Sequence, residues 1–134
     1  MIADLNDNVT AEFKGAELKE AQSSLHSFGL TFANGKGIVL SATLEKGDSA
    51  MNLPDELSIA TEIKAAETMP KLAEAVCSVD WSWIYGSQLV SMSRQAGPRG
   101  AAIVIKLDPV GPITVSVGAW EGKPFLSFMP YKKP

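Results

Sequence analysis

The sequence predicts an α+β fold made of two pseudo-repeated β-α-β-β-β units, with antiparallel sheets and two helices on one face. Three observations predict it. Segments of alternating apolar and polar residues run through most of the 134-residue chain, two stretches switch to helical spacing, and the phrase EFKGAE at 12–17 returns as EIKAAE at 62–67. In both places the echo falls where a strand is expected to pass into a helix. Glu12, Lys14, Ala16 and Glu17 recur as Glu62, Lys64, Ala66 and Glu67, and Phe13 is matched by Ile63 as the inward apolar residue. A repeat of this kind reads as one supersecondary unit used twice. The halves run over about 8–53 and 57–130 within one domain, 1–134.

Taken in order, VTAEFKG (9–15) alternates Val9, Ala11 and Phe13 against Thr10, Glu12 and Lys14, the period of a half-buried strand. AELKEAQSSLHSF (16–28) changes period: Leu18, Ala21, Leu25 and Phe28 fall at i, i+3, i+7 and i+10, one stripe of an amphipathic helix that Gly29 would end. LTFANGKGIVLSATLEKG then reads as two strands around Asn34-Gly35, a dipeptide that favours a type I′ hairpin turn because both central residues need φ > 0. A short strand at 49–53 ends at Pro54. LSIATEIK (57–64) is a further strand, after which Thr68 as N-cap, Pro70 in the first turn, and Met69, Leu72, Ala73 and Val76 as apolar stripe predict the second helix. From Ser78 onward, VDWSWIYG, SQLVSMSR, GAAIVIKLDP, GPITVSVGAW and KPFLSFMPY are rich in β-branched and aromatic residues and punctuated by Gly and Pro, so five successive strands are expected.

Composition narrows the function classes. The opening MIADLNDN lacks the basic and apolar regions of a secretory signal, and no apolar run approaches the roughly 18 residues of a membrane span, so a cytoplasmic protein with no membrane partner is expected. Cys77 is the single cysteine, which excludes an intramolecular disulfide and a multi-cysteine metal site within one chain. Net charge is −3, but residues 1–80 carry six Lys against thirteen Asp and Glu (−7), while residues 81–134 carry six Lys and Arg against Asp108 and Glu121 (+4). A chain that is acidic overall can therefore still offer a basic surface to a polyanion, although solvated lysines on a sheet are the commoner cause of such a pattern.

No reactive constellation emerges. His26 is the single histidine and falls off the Leu18–Leu25 stripe, which reads as a surface histidine before a general base. There is no GxSxG, HExxH or GxxxxGK[ST] pattern, and GPRGAA (97–102) precedes a strand instead of a helix, so its glycines read as a turn and not as a phosphate loop. The chain is expected to be no enzyme, with no cofactor and no metal.

Two segments carry a family resemblance. NVTAEFKGAELKEAQSSLHSFG looks like the opening strand and helix of a DNA sliding-clamp repeat, and GPITVSVGAWEGKPFLSFMPYKKP is similar to the closing hairpin of the proliferating-cell-nuclear-antigen branch, with Pro112, Gly122, Phe125, Phe128, Pro130 and Lys132 in corresponding places. The resemblance implies a homo-oligomeric ring around duplex DNA, a processivity or DNA-tethering role beside replication proteins, and helices that line the hole. Lys14, Lys19, Lys64 and Lys71 would then face DNA without sequence preference, with His26 as a lesser candidate. Sliding-clamp chains carry two or three such domains, whereas this chain carries one, and its helices would also bear Glu17, Glu20, Glu67 and Glu74.

Two alternatives rest on the second half. Trp81, Trp83, Tyr85, Trp120, Phe125, Phe128 and Tyr131 stand among Arg94, Arg99, Lys106, Lys123, Lys132 and Lys133, a mixture suited to stacking unpaired bases while neutralising phosphates, with a packed core as the plainer explanation of aligned aromatics. Otherwise the chain is a β-rich assembly or interaction protein without nucleic acid, in which a strand such as 124–130 pairs with a neighbour and the prolines at 124, 130 and 134 limit unwanted pairing.

Overall fold

The computed structural model describes residues 11–45, 47, 49–52, 56–69, 71–72, 79–97, 100–130 and 132. Two four-stranded antiparallel sheets dominate them. The first is the meander β1 (Leu18–Ser23), β2 (Ser27–Phe32), β3 (Lys36–Glu45) and β4 (Glu56–Ala65); the second is the meander β5 (Gln88–Gly97), β6 (Gly100–Asp108), β7 (Gly111–Trp120) and β8 (Lys123–Met129). Helical structure among the described residues is confined to single turns at Ala11–Phe13, Ser49–Met51, Ala66–Thr68 and Ser82–Ile84. None of these turns is long and apolar enough to cross a membrane.

The α+β expectation is therefore corrected to an all-β sandwich. The helix predicted over 16–28 is β1, a turn and β2. Its i, i+3 spacing arises from a β-bulge: register shifts between Leu18 and Glu20, so Leu18 and Ala21 both point inward although three positions separate them. Where the second helix was expected, 66–68 forms one 3-10 turn and 69, 71 and 72 continue without helix; 70 and 73–78, including Cys77, lie outside the described residues. The echoed phrases adopt different structures, Phe13 in a helical turn against Phe32 and Ile63 on β4, so the pseudo-repeat of strand-into-helix units is absent. The strand expected at 9–15 is a helical turn over its described part, the one at 49–53 is a 3-10 turn at Ser49–Met51, and VDWSWIYG forms the 3-10 turn Ser82–Ile84. The hairpin at Asn34-Gly35 forms, but only Gly35 has positive φ (83°), and its N–H donates to Phe32 O at 3.3 Å, giving a three-residue connection in place of type I′.

The sheets pack across each other. Gln88 at the start of β5 bridges Glu17 beside β1, and Arg94, six residues on, donates from Nη1 to Ile59 O on β4 at 2.8 Å. β1 and β4 are the two outer strands of the first sheet, so β5 passes over that sheet from the side of β1 toward β4. Residues 15–18 and 86–89 stitch one corner with four backbone bonds, among them Leu18 N–H to Ser87 O at 2.7 Å and Gly86 N–H to Leu18 O at 2.8 Å. Between the layers lies one continuous core: Phe28, Leu30, Ile38, Leu40 and Ile59 from the first sheet meet Met92, Ile103, Ile105, Ile113 and Val115 from the second. Trp81, 1% exposed, enters from the connection between the sheets, packs on Phe28 and Phe128 at centroid distances of 4.9 and 5.3 Å, and donates from Nε1 to Ser23 Oγ at 2.9 Å.

That connection also crosses the outside of the first sheet. Met69 lies over Gly29 of β2 and Gly37 of β3, and Leu72 N–H donates to Gln22 Oε1 of β1 at 2.5 Å. A Cβ on Gly37 would stand 2.4 Å from Met69 Sδ, so the strap needs glycine beneath it. Outward-facing Val39 is only 7% exposed beside it.

Candidate nucleic-acid interface

The outer face of the second sheet follows from its parity. Ile103, Ile105 and Leu107 on β6, Ile113, Val115 and Val117 on β7, and Leu126 on β8 are buried, which turns their sequence neighbours outward. The outward rows pair Lys106 with Pro112, Val104 with Thr114, Thr114 with Met129, Ser116 with Ser127, Gly118 with Phe125, and Trp120 with Lys123. Glu121 and Gly122 both have positive φ (52° and 76°), the geometry of a type I′ turn, and this turn holds Trp120 and Lys123 directly opposite each other.

Two aromatics stand side by side at that end of the face. Trp120 is 73% exposed. The Phe125 ring crosses onto Gly118 of the neighbouring strand, where a Cβ would meet its Cζ at 2.8 Å, so Phe125 covers a glycine instead of a side chain. Trp120 is the next outward residue of β7 after Gly118, and Lys123 the next outward residue of β8 before Phe125, so an exposed indole, a phenyl ring and an ammonium group share one corner. Lys106, opposite Pro112, lies eight residues of β7 away from Trp120, or about 26 Å. The hydroxyl-bearing Thr114, Ser116 and Ser127 occupy the interval. The local charge is mixed: Asp108 follows Lys106, and Glu121 lies in the turn. Among the described residues, 81–132 carry Arg94, Lys106, Lys123 and Lys132 against Asp108 and Glu121 (+2), whereas 11–80 carry five Lys against seven Glu and Asp80 (−3).

The residues expected from sequence are thereby sorted. Lys106, Trp120 and Lys123 share this face, Trp120 and Lys123 side by side at one end and Lys106 toward the other. Trp81 is core, Trp83 stacks on it at 6.1 Å in a 3-10 turn, and neither shares a strand face with the other. Arg94 is half-buried between the layers with its guanidinium on Ile59 O; burial lowers its pKa from the usual arginine value, but it remains a cation. Arg99 lies outside the described residues. Phe125, another of the aromatics expected to stack bases, joins Trp120 on the outer face by its parity with Lys123 across a two-residue turn, whereas Phe128 packs on Phe28 and Trp81 and Tyr131 lies outside the described residues.

The lysines implied by the clamp resemblance share no helix. Lys14 is exposed in the turn before β1, Lys19 sits at the β1 bulge 3.9 Å from Glu17, Lys64 lies on β4 3.6 Å from Glu62, and Lys71 is exposed within the strap, between Met69 and Leu72. Because β2 and β3 separate β1 from β4, Lys19 and Lys64 are about 14 Å apart across the sheet. His26 lies exposed in the β1–β2 turn, and in the tautomer protonated on Nδ1 it donates to Pro124 O at 2.9 Å.

A second concavity of about 450 Å³ opens beside β1, lined by Glu20, Gln22, Ser23, Asp80 and Tyr85. Its polar groups are spent internally: Tyr85 Oη donates to Ala21 O at 3.1 Å, Gln22 Nε2 to Glu20 Oε1 at 2.5 Å, and Asp80 Oδ1 accepts from Ser82 N–H at 3.0 Å. Nothing in this lining pairs a nucleophile with a base. No group of three or more His, Cys, Asp or Glu among the described residues is gathered closely enough to hold a metal ion. No protein-family model matches the chain, and no curated protein or solved structure matches it either.

Proposed function

We propose that this chain is a non-enzymatic, cytoplasmic binding module that holds single-stranded nucleic acid on the outer face of its second sheet. The observation that carries the reading is the corner where Trp120, 73% exposed, stands beside Phe125 and Lys123. Each base stacked on an aromatic contributes about 1–3 kcal/mol, and the stacking tolerates any sequence because every base has a π-face. Lys123 at one end and Lys106 about 26 Å away would neutralise phosphates of a strand lying along β7, a span of about four extended nucleotides. The duplex-encircling alternative asks for lysine-bearing helices side by side, and its four lysines stand instead on turns and on opposite edges of one sheet, two of them beside carboxylates.

Tryptophan fluorescence tests this directly. Trp81 is buried and Trp120 exposed, so a short oligothymidylate should quench the Trp120 component, and Trp120→Ala should abolish both the signal and most of the affinity. With two lysines on the face, log K should fall against log salt with a slope of about −1.4. An unquenched Trp120, or binding unchanged in the alanine variant, would overturn the proposal.

A further inference from the structure

We infer that the chain dimerises through β4, two copies pairing antiparallel about a two-fold axis at Ala60 to join their first sheets into one of eight strands. The sandwich has four sheet edges, and their treatment differs. The β1 and β5 edges are joined where the two strands begin, by the Glu17–Gln88 bridge and its flanking backbone bonds, and farther along β1 Tyr85 Oη donates to Ala21 O. On β8 the turn sets the backbone groups of Lys123 toward β7, so those of residues 124, 126, 128 and 130 point away from it along the edge; Pro124 and Pro130 lack N–H groups, Leu126 N–H is given to Leu25 O at 2.8 Å, and Pro124 O accepts from His26. That edge is closed to pairing.

Among the described residues, no strand pairs with the β4 edge. It is ten residues long, free of proline, and in register with β3 along its whole length. Ala66 N–H, continuing the ladder, donates to Gly35 O, which sets even-numbered residues toward β3 and turns the backbone groups of Leu57, Ile59, Thr61 and Ile63 outward. Arg94 takes one lone pair of Ile59 O and leaves the second lone pair free. Ile63, of core parity, is 39% exposed.

The occupant is a second copy because the strand is complementary to itself. Pairing about Ala60 places Ile59 opposite Thr61 and Leu57 opposite Ile63 as hydrogen-bonded pairs, so that at each end the exposed Ile63 is covered by a half-buried Leu57. On the outer face it places Glu56 opposite Lys64, twice by symmetry. Opposite charges directly across a strand pair are favourable, and like charges there are unfavourable. An isologous contact of this kind closes at two copies and does not propagate.

Light scattering and sedimentation of the full chain should give twice the 14.3 kDa mass. Thr61→Pro removes an outward N–H without touching the β3 ladder, so it should yield a folded monomer. Glu56→Lys sets lysine against Lys64 and should weaken association roughly ten-fold, and adding Lys64→Glu should restore it. In a Cys77→Ser background, Ala60→Cys should cross-link copies on oxidation, since facing non-hydrogen-bonded residues lie about 4.5 Å apart at Cα. Glu62→Cys, about 14 Å from its own counterpart in this register, should not. A monomeric wild type, a dimer indifferent to both Thr61→Pro and the charge swap, or cross-linking at 62 in place of 60 would each overturn the inference.

Discussion

Gly37 shows how a single position fixes the path of the connection between the sheets. Its absent side chain leaves the space that Met69 Sδ fills, and the Leu30 carbonyl closes the same space from below, with O at 2.9 Å from where a Cβ would be. Gly37→Ala should therefore destabilise the fold by about 1–3 kcal/mol in urea melts. Adding Met69→Ala should recover only part of this, because the Leu30 carbonyl cannot move away. Gly29→Ala meets only the flexible end of Met69, at 3.2 Å, and should cost less than Gly37→Ala. Asp80 supplies a titratable residue whose sign can be worked out. Its carboxyl is held below its usual pKa of 3.8 by the backbone N–H of Ser82 and then by the Ser82 hydroxyl. A carboxyl lowered in the folded state contributes stability that is present above its unfolded pKa and lost as pH falls through its folded pKa. The urea midpoints of wild type and Asp80→Asn should thus differ slightly at about pH 5 and converge toward about pH 2. A difference that widens on acidification would contradict the assignment.

Among elements, the strands that keep strict alternation are legible in the sequence, and β5 is legible despite its bulge, whereas the bulge in β1 disguises that strand as a helix. β3, β4, β6, β7 and β8 repeat inward residues at every second position, and each is predicted as a strand at nearly its observed place. At β1 the bulge between Leu18 and Glu20 converts a spacing of two into one of three, and the next inward residue after the turn, Phe28, falls by coincidence on the same helical stripe. β5 has the same device between Leu89 and Ser91, yet its run of SQLVSMSR offered no longer helical match. The Lys106–Trp120–Lys123 face was recoverable because β6, β7 and β8 alternate cleanly, whereas Trp81 and Trp83 were misplaced onto a strand because a 3-10 turn has no short sequence signature of its own. Turn chemistry at β7–β8 yields a sharp expectation. Glu121 holds φ 52°, a left-handed conformation that costs a residue with a Cβ about 1 kcal/mol. Glu121→Asn should raise stability by about 0.5–1 kcal/mol, since asparagine suits the first position of a type I′ turn, while Gly122→Ala should lower it by a similar amount. Equal and small effects of both would mean that the hairpin is not read through this turn.

For the molecule as a whole, the two meanders look separable in sequence order but share every large buried group between them. Phe28 of the first sheet touches Trp81 of the connection and Phe128 of the second sheet, with the Phe28–Phe128 centroids 5.0 Å apart. The Trp81 indole N–H donates to Ser23 Oγ of β1, and the corner at 15–18 and 86–89 satisfies backbone groups of both edges at once. Pulling the sheets apart would expose the inner faces of both and leave these donors without partners, at about 1–3 kcal/mol for each buried group. The inner faces of both layers contribute to one core cluster, with Phe13, Trp81 and Ile84 from outside the strands packed into it. Unfolding should therefore be one cooperative event. Urea titration followed by Trp81 fluorescence, which reads the interlayer core, and by far-ultraviolet circular dichroism, which reads strand content in both sheets, should give coincident transitions with a slope of about 1–3 kcal/mol per molar urea. Separate midpoints for the two probes would mean that one meander persists without the other, and would count against a core held in common.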